Sequence, residues 1–295
     1  MKTTFANNQA SITVDVEEYF QVEAYAKLIS PADWPNYESR VAFQMDLLLS
    51  LFDKTNLKAT FFVLGIIAEK HPKLIAKIVE NGHELASHGY HHQHITKISQ
   101  NEFFRDIKSS KELLEDIANV EIKGYRAPCF SITPENNWAH NEIVNAGYKY
   151  SSSTYPIEHD FYGVPSAPRT PYYLNNGLLE IPVSTYKKGN KTKPAGGGGF
   201  FRLYPFFYFK RNLNKALKET QFINFYTHPW EYDPEQPKIN GGLKSNFRHR
   251  VNQKGALNKL QRLCNSYQFD TLENIHLNKT YPTLGDWTAI AKGEF

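Results

Sequence analysis

The sequence predicts an α/β fold whose strands run parallel, as an open sheet or a barrel. Three observations predict it. Apolar, β-branched runs alternate with segments of helical period along the chain. The 295 residues are 41% hydrophobic with mean hydropathy −0.53, enough to build a core. The acidic and imidazole side chains that stand out follow strand-like runs, where parallel sheets collect their chemistry.

Composition removes several classes. A charged share of 22% and the apolar content argue against bulk disorder. The net charge of +4, with pI near 8.8, is mild and dispersed, so no nucleic-acid footprint is expected. Two cysteines, Cys129 and Cys264, exclude a disulfide scaffold and a cysteine zinc module. The 18 Tyr and 20 Phe suit an aromatic core as well as a ring-binding cleft. No run approaches the ~18 apolar residues of a membrane span. Residues 1–10, MKTTFANNQA, lack the apolar stretch of a secretory leader, and the expectation is a cytoplasmic protein.

The elements follow in order. Ala10–Val16 alternates and is β-branched, a buried strand. Val41, Met45, Leu48, Leu49 and Phe52 recur at helical spacing. Lys58–Leu64 is a second strand, closed by Gly65. A helix is expected over Ile66–Glu80, ended by Asn81-Gly82. His83–Ser87 is a third strand. Ser99 and Glu102 form a capping box opening a helix to about Ile117. Lys123–Tyr125 leads into Arg126-Ala127-Pro128. Pro134 opens a helix ending near Gly147, followed by YKYSS. Tyr155–Gly199, rich in Pro, Gly, Tyr and Lys, reads as hairpins and loops. A helix near Leu213–Glu219, the strand Phe222–Tyr226 and a helix near Lys254–Ser266 complete the chain. Gly196–Gly199 reads as a mobile lid or as backbone facing a substrate.

Five histidines crowd between His83 and His94. His88 and His92, spaced i, i+4 after a strand, are placed on one side of a single turn, as metal ligands would be. The first strand ends Asp15-Val16-Glu17-Glu18, and carboxylates closing an apolar strand are costly unless something positive sits there. Asp15 and Glu17 point to the same side of an extended chain, so one suits a metal and the other proton transfer. Arg126 ends another strand and can hold a carboxylate; an ordinary surface arginine reads equally well. His228 follows the strand FINFYT and is either a structural histidine or a general acid.

These pieces, in this order, resemble the polysaccharide deacetylases, the NodB-homology carbohydrate esterases. The matching segments are TVDVEE at 13–18, ATFFVLG at 59–65, NGHELASHGYHH at 81–92, GYRAP at 124–128 and FYTHPWE at 225–231. The subgroup encoded with exopolysaccharide export and exosortase systems is similar in further stretches: YPIEHDFYGVPSAPR at 155–169, GGGGFFRLYP at 196–205, HPWEYDPEQP at 228–237 and NFRHRV at 246–251. The resemblance implies a distorted (β/α)7 barrel of the NodB type. It implies one domain over 1–295, with about 232–295 a subgroup-specific extension. It further implies a divalent metal, zinc first with cobalt, nickel or iron as alternatives. His88 and His92 match the family's metal ligands, Asp15 its general base, Arg126 the residue orienting that base, and His228 its general acid. Tyr125, Pro128 and Trp230 are carried as sugar contacts, and for Trp230 a core aromatic beneath His228 reads equally well. The implied reaction is removal of N-acetyl groups from an N-acetylated glycan or glycolipid, without nucleic acid or membrane insertion.

Two positions depart from the family pattern. Val16 stands where a second aspartate is usual, so the metal carboxylate must be Glu17 or Glu18; strand alternation favours Glu17. Ser151 stands where an aspartate is usual, which removes a charge near the substrate. Two other readings remain open: a hydrolase of another linear or cyclic amide on the same fold, and a non-catalytic sugar-binding relative. A carboxylate ligand from Glu17 separates the first of these from a deacetylase.

Overall fold

The computed structural model describes residues 9–159 and 162–295. Residues 1–8, most of the stretch read for a leader, and Asp160-Phe161 of the 155–169 segment lie outside the described residues. The strands are β1 (Gln9–Val16), β2 (Thr60–Val63), β3 (Glu84–Ser87), β4 (Gly124–Tyr125), β5 (Tyr150–Ser151), β6 (Tyr172–Tyr173), β7 (Leu179–Glu180), β8 (Thr185–Lys188), β9 (Lys191–Pro194) and β10 (Phe222–Thr227). The helices are α1 (Val41–Lys54), α2 (Gly65–Lys70), α3 (Pro72–Glu80), α4 (Gln100–Ala118), α5 (Ala139–Asn145), α6 (Gly198–Leu203), α7 (Phe206–Thr220), α8 (Gly242–Arg250), α9 (Gln253–Cys264), α10 (Leu272–His276) and α11 (Trp287–Lys292).

Eight strands form one curled sheet in the order β10-β1-β2-β3-β4-β5-β7-β6. All neighbours pair parallel except β6 with β7. Seven parallel strands with outer helices make the distorted (β/α)7 barrel that the sequence predicts. The ring is not closed by a ladder. Its gap is bridged where the chain beyond β7 meets β10: Asn224 donates its backbone N–H to Ser184 Oγ, and Ser184 donates its own to the Asn224 carbonyl.

Residue parity sorts the strands into two cores. Ile12, Val14, Val16, Phe61, Leu85 and Tyr125 face outward into the main cluster under the helices. Phe62, Ala86, Tyr150, Leu179 and Phe222 fill the barrel interior. Leu272 of α10 joins that interior cluster, and its backbone N–H donates to Thr60 Oγ1 at the strands' N-terminal end. Helix α10 therefore plugs the barrel floor.

Two elements differ from the expected pattern. The helix expected over Ile66–Glu80 is broken into α2 and α3. His71, at φ −131° and ψ 55°, precedes Pro72, whose ring disfavours a helical residue before it. The helix expected from Pro134 is one 3-10 turn, Pro134–Asn136, followed by α5.

Candidate active site

The strand ends converge. Asp15 and Thr13 lie on the inward face of β1, and Arg126, just past β4, points inward to meet them. Its Nη1 donates to Asp15 Oδ1 and Thr13 Oγ1, each at 2.7 Å. Its Nε and Nη2 donate to the Ser152 carbonyl and hydroxyl at 2.9 Å. Arg126 is fully buried, with its guanidinium 4.1 Å from the Phe62 ring centroid. A buried cation this well matched fixes one carboxylate oxygen of Asp15 and leaves the other facing the mouth.

Glu17, His88 and His92 offer ligand atoms that all lie within 4.8 Å of one another. The His88 and His92 rings are 5.4 Å apart, and His92 Nε2 sits 2.8 Å from Glu17 Oε2. The turn that joins the two histidines is not helical, as the i, i+4 spacing implied. Gly89 at φ +79° and His92 at φ +55° fold residues 88–92 into a tight loop. His88 Nδ1 is 2.8 Å from the Arg126 carbonyl, which accepts its hydrogen and leaves Nε2 with a free lone pair. Burial pushes the His88 imidazole down to about 4, so it is neutral near pH 7. Burial alone would raise Glu17, but the facing His92 and His228 outweigh it and hold the carboxyl at about 2. Two imidazoles and one ionised carboxylate, gathered at the strands' C-terminal ends, fit a divalent cation.

Glu18 turns away from this cluster. It accepts from Ser39 Oγ at 2.5 Å and from the backbone N–H groups of Arg40 and Val41, at the start of α1. Its carboxylate serves the N-terminus of a helix.

His228 closes the other side, with Nε2 at 4.0 Å from Asp15 Oδ2 and 3.7 Å from Glu17 Oε1. Its Nδ1 donates to Glu231 Oε1 at 2.7 Å. Burial opposes its charge, but Glu17, Glu231 and Asp15 override that and raise His228 to about 9. Glu231 in turn accepts from Arg202 Nε at 3.2 Å. Arg202 is anchored by donating to the carbonyls of Arg248, His249 and Val251 at the end of α8.

A cavity of about 440 Å³ opens over these groups, lined by Asp15, Glu17, His88, His92, His228 and Trp230 among others. Tyr125 and Pro128 do not line it. Tyr125 follows the outward parity of β4 and packs on Phe103 and Tyr148, which corrects its reading as a sugar contact. Pro128 is buried at the head of a 3-10 turn, and the residues after it, Cys129 and Phe130, line the cavity instead. Trp230 lines the cavity, but its ring is stacked by His228 at 5.1 Å and His249 at 4.3 Å. Its Nε1 donates to Glu17 Oε1 at 3.1 Å, so it supports the centre rather than offering a sugar platform. Ser151 is buried outside the cavity lining, donating to Ser153 Oγ.

Of Gly196–Gly199, only Gly199 is exposed, and it lines the cavity. Gly196 to Gly198 are buried against β10 and Glu231, and a Cβ on Gly198 would stand 2.2 Å from Glu231 Oε2. The bare backbone makes room for that carboxylate. Sequence reasoning missed Glu231 and Arg202. The signal for Glu231 was its place three residues after a strand-end histidine, in HPWE; nothing local marks Arg202.

Residues 42–151, which hold His88, His92 and Arg126, match the model of the family described as polysaccharide deacetylase. Residues 152–277, which hold His228, Glu231 and Arg202, match a domain of unknown function, DUF3473. The two segments share one sheet, since β10 of the second pairs with β1 beside the deacetylase segment. A peptidoglycan-N-acetylglucosamine deacetylase of Bacillus cereus is 35% identical over 81 residues, 28% of this chain and 30% of that protein. A peptidoglycan deacetylase of Helicobacter pylori is 31% identical over 130 residues, 44% of this chain and 40% of that protein. The chain thus spans well under half the length of these relatives. A solved structure from Mycobacterium smegmatis assigned to the polysaccharide deacetylases superposes with TM-score 0.62 at 20% identity, over 91% of this chain and 88% of that one. The Puue allantoinase superposes with TM-score 0.59 at 15% identity, over 92% of this chain and 90% of that one. These two likenesses show the fold alone. No helix among the described residues is long and apolar enough to cross a membrane.

Proposed function

We propose that this chain is a divalent-metal-dependent hydrolase that removes N-acetyl groups from an amino-sugar glycan or its precursor, releasing acetate and a free amine. The observation that carries the reading is the set of ligand atoms of Glu17, His88 and His92 within 4.8 Å, flanked by Arg126-held Asp15 and by His228. The deacetylase relatives in Bacillus cereus and Helicobacter pylori, named for peptidoglycan, support the substrate class.

A divalent cation held by Glu17, His88 and His92 would supply Lewis acidity, polarising the acyl oxygen and easing loss of a proton from water; zinc is the first choice. Asp15 takes that proton, its free oxygen kept in place by the bond from Arg126 to the other. The C–O bond to water forms and the C–N bond of the acetamide breaks. His228, held charged by the carboxylates around it, gives its proton to the departing nitrogen. Buried walls around the cluster keep bulk water from competing with these fixed charges.

Glu17, beside the histidines, supplies the carboxylate that a metal-free amide hydrolase of this fold would have no need of, and so favours the deacetylase reading over that one. The bridging of the barrel gap by residues 182–184 and the floor plug at Leu272 support a single domain over 1–295. The DUF3473 match is consistent with the exopolysaccharide and exosortase-associated subgroup, which we propose as the chain's own.

The test is acetate release from a panel of N-acetylated sugars, with and without chelator. Release that chelator abolishes and divalent metal restores is expected. Release indifferent to chelator would overturn the metal requirement, and none from any N-acetylated sugar would overturn the reaction.

A further inference from the structure

We propose that the substrate of this site is an N-acetylated sugar joined through a phosphate to a lipid chain. The proposal rests on the deacetylase reading above and names the substrate class it leaves open.

Helix α8 carries two pairs at i, i+4 spacing, Leu243 with Phe247 and Lys244 with Arg248, which form adjacent apolar and basic stripes. Lys244, Phe247 and Arg248 all line the cavity that holds Asp15 and His228. Leu203, at the end of α6, lines it too. Leu243 is 94% exposed, Phe247 58% and Leu203 41%. The cavity that holds the reacting groups is therefore also lined by two cationic side chains and by exposed apolar ones, its apolar lip.

That lip is built rather than frayed. Arg202, beside Leu203, donates to the carbonyls of Arg248, His249 and Val251, locking α6 to the end of α8. Imidazole Nε2 of His249 lies 3.1 Å from the Tyr19 carbonyl, tying α8 to the loop after β1. Large apolar side chains held in water beside a catalytic cavity mark a binding surface for an apolar group.

A neutral glycan would use neither stripe. A polyanionic glycan would match Lys244 and Arg248 and leave the apolar lip wet. A molecule that combines an acetamido sugar, a phosphate and a lipid chain has one part for the reacting groups, one for the cations and one for the apolar lip.

The experiment compares three soluble substrates: N-acetylglucosamine 1-phosphate carrying a short prenyl group, the same sugar phosphate carrying a methyl group, and an uncharged N-acetylated disaccharide. Expected is a kcat/KM for the prenyl compound about tenfold or more above the methyl one, expressed mainly in KM. The Leu243→Ser, Phe247→Ser double variant brings that ratio near one. Leu243 and Phe247 are surface residues, so the variant folds, as circular dichroism verifies. The Lys244→Gln, Arg248→Gln double variant lowers both phosphate substrates relative to the disaccharide. Calorimetric binding of the prenyl and methyl compounds to the Asp15→Asn protein gives the same ratio without turnover.

Acetate from the disaccharide with no prenyl advantage in either readout overturns this inference and leaves the deacetylase reading standing. No acetate from any substrate, with the prenyl advantage in binding intact and lost in the Leu243→Ser, Phe247→Ser variant, overturns the deacetylase reading and keeps the subsite. A prenyl advantage that survives that double variant overturns the assignment to α8. Binding to anionic lipid vesicles without any preference for the prenyl sugar makes the lip a membrane-docking surface and overturns the proposal.

Discussion

The two oxygens of Glu231 are divided between His228 and Arg202: Oε1 lies 2.7 Å from His228 Nδ1, and Oε2 accepts from Arg202 Nε at 3.2 Å. The division turns the imidazole so that Nε2 faces Asp15 and Glu17, and through Arg202 it links His228 to the end of α8.

That link sets a pH limit. A general acid works only while protonated, and His228 is held protonated to about 9, against the burial that opposes its charge, by Glu17, Glu231 and Asp15. A cation on Glu17 would cancel the largest of these three charges, so activity is expected to fall on the alkaline side, at a pH below about 9. Glu231→Gln removes one of the three raising charges, so the alkaline limb moves to lower pH. The kcat–pH profiles of the two proteins check this, and superimposable limbs would refute it.

Asp15→Asn keeps an oxygen for Arg126 but cannot take a proton. Turnover is expected to drop by about 10²–10⁴-fold with metal content unchanged. Steady-state rates and elemental analysis on one preparation decide it; full activity removes Asp15 as the base.

Arg126→Met strands the Asp15 carboxylate in a buried site without its partner. A loss of about 3–5 kcal/mol in folding stability is expected. Adding Asp15→Asn removes the stranded charge, so the double variant is more stable than the single one. Urea unfolding of the pair tests the order, and additive losses would contradict it.

Gly198→Ala places a methyl where Glu231 Oε2 sits, at 2.2 Å in the undisturbed geometry. The carboxylate must shift off His228 or the backbone must move. The expected result is a lowered kcat with the same downward shift of the alkaline limb as Glu231→Gln. A wild-type profile in Gly198→Ala would show that the glycine is dispensable to the acid.

Much of this was legible in the chain, for identifiable reasons. Parallel strands buried on both faces must be apolar and β-branched, so β1 and β2 stand out in the sequence. The Ser99 box is local, and Ser99 Oγ does accept from the Glu102 N–H. Strand parity singled out Glu17, which faces the histidines, whereas Glu18 serves α1. What stayed hidden depends on distant contacts. The two-residue strands β4 to β7 are too short to show a period. Arg202 gains meaning only because α8 and Glu231 fold onto it. Tyr125 and Arg126 are adjacent in GYRAP, yet parity sends one to the core and the other to the site. The spacing of His88 and His92 pointed to two rings that the fold does bring together, but through the wrong conformation, because a left-handed Gly89 does what a helical turn was expected to do.

The most direct test of the central claim is metal stoichiometry in Glu17→Gln and Glu18→Gln, measured by elemental analysis after loading with zinc and desalting. The wild type and Glu18→Gln are expected to hold about one equivalent per chain, and Glu17→Gln markedly less. Loss confined to Glu18→Gln, or full occupancy in both variants, would contradict the assignment of Glu17, His88 and His92 as the ligands.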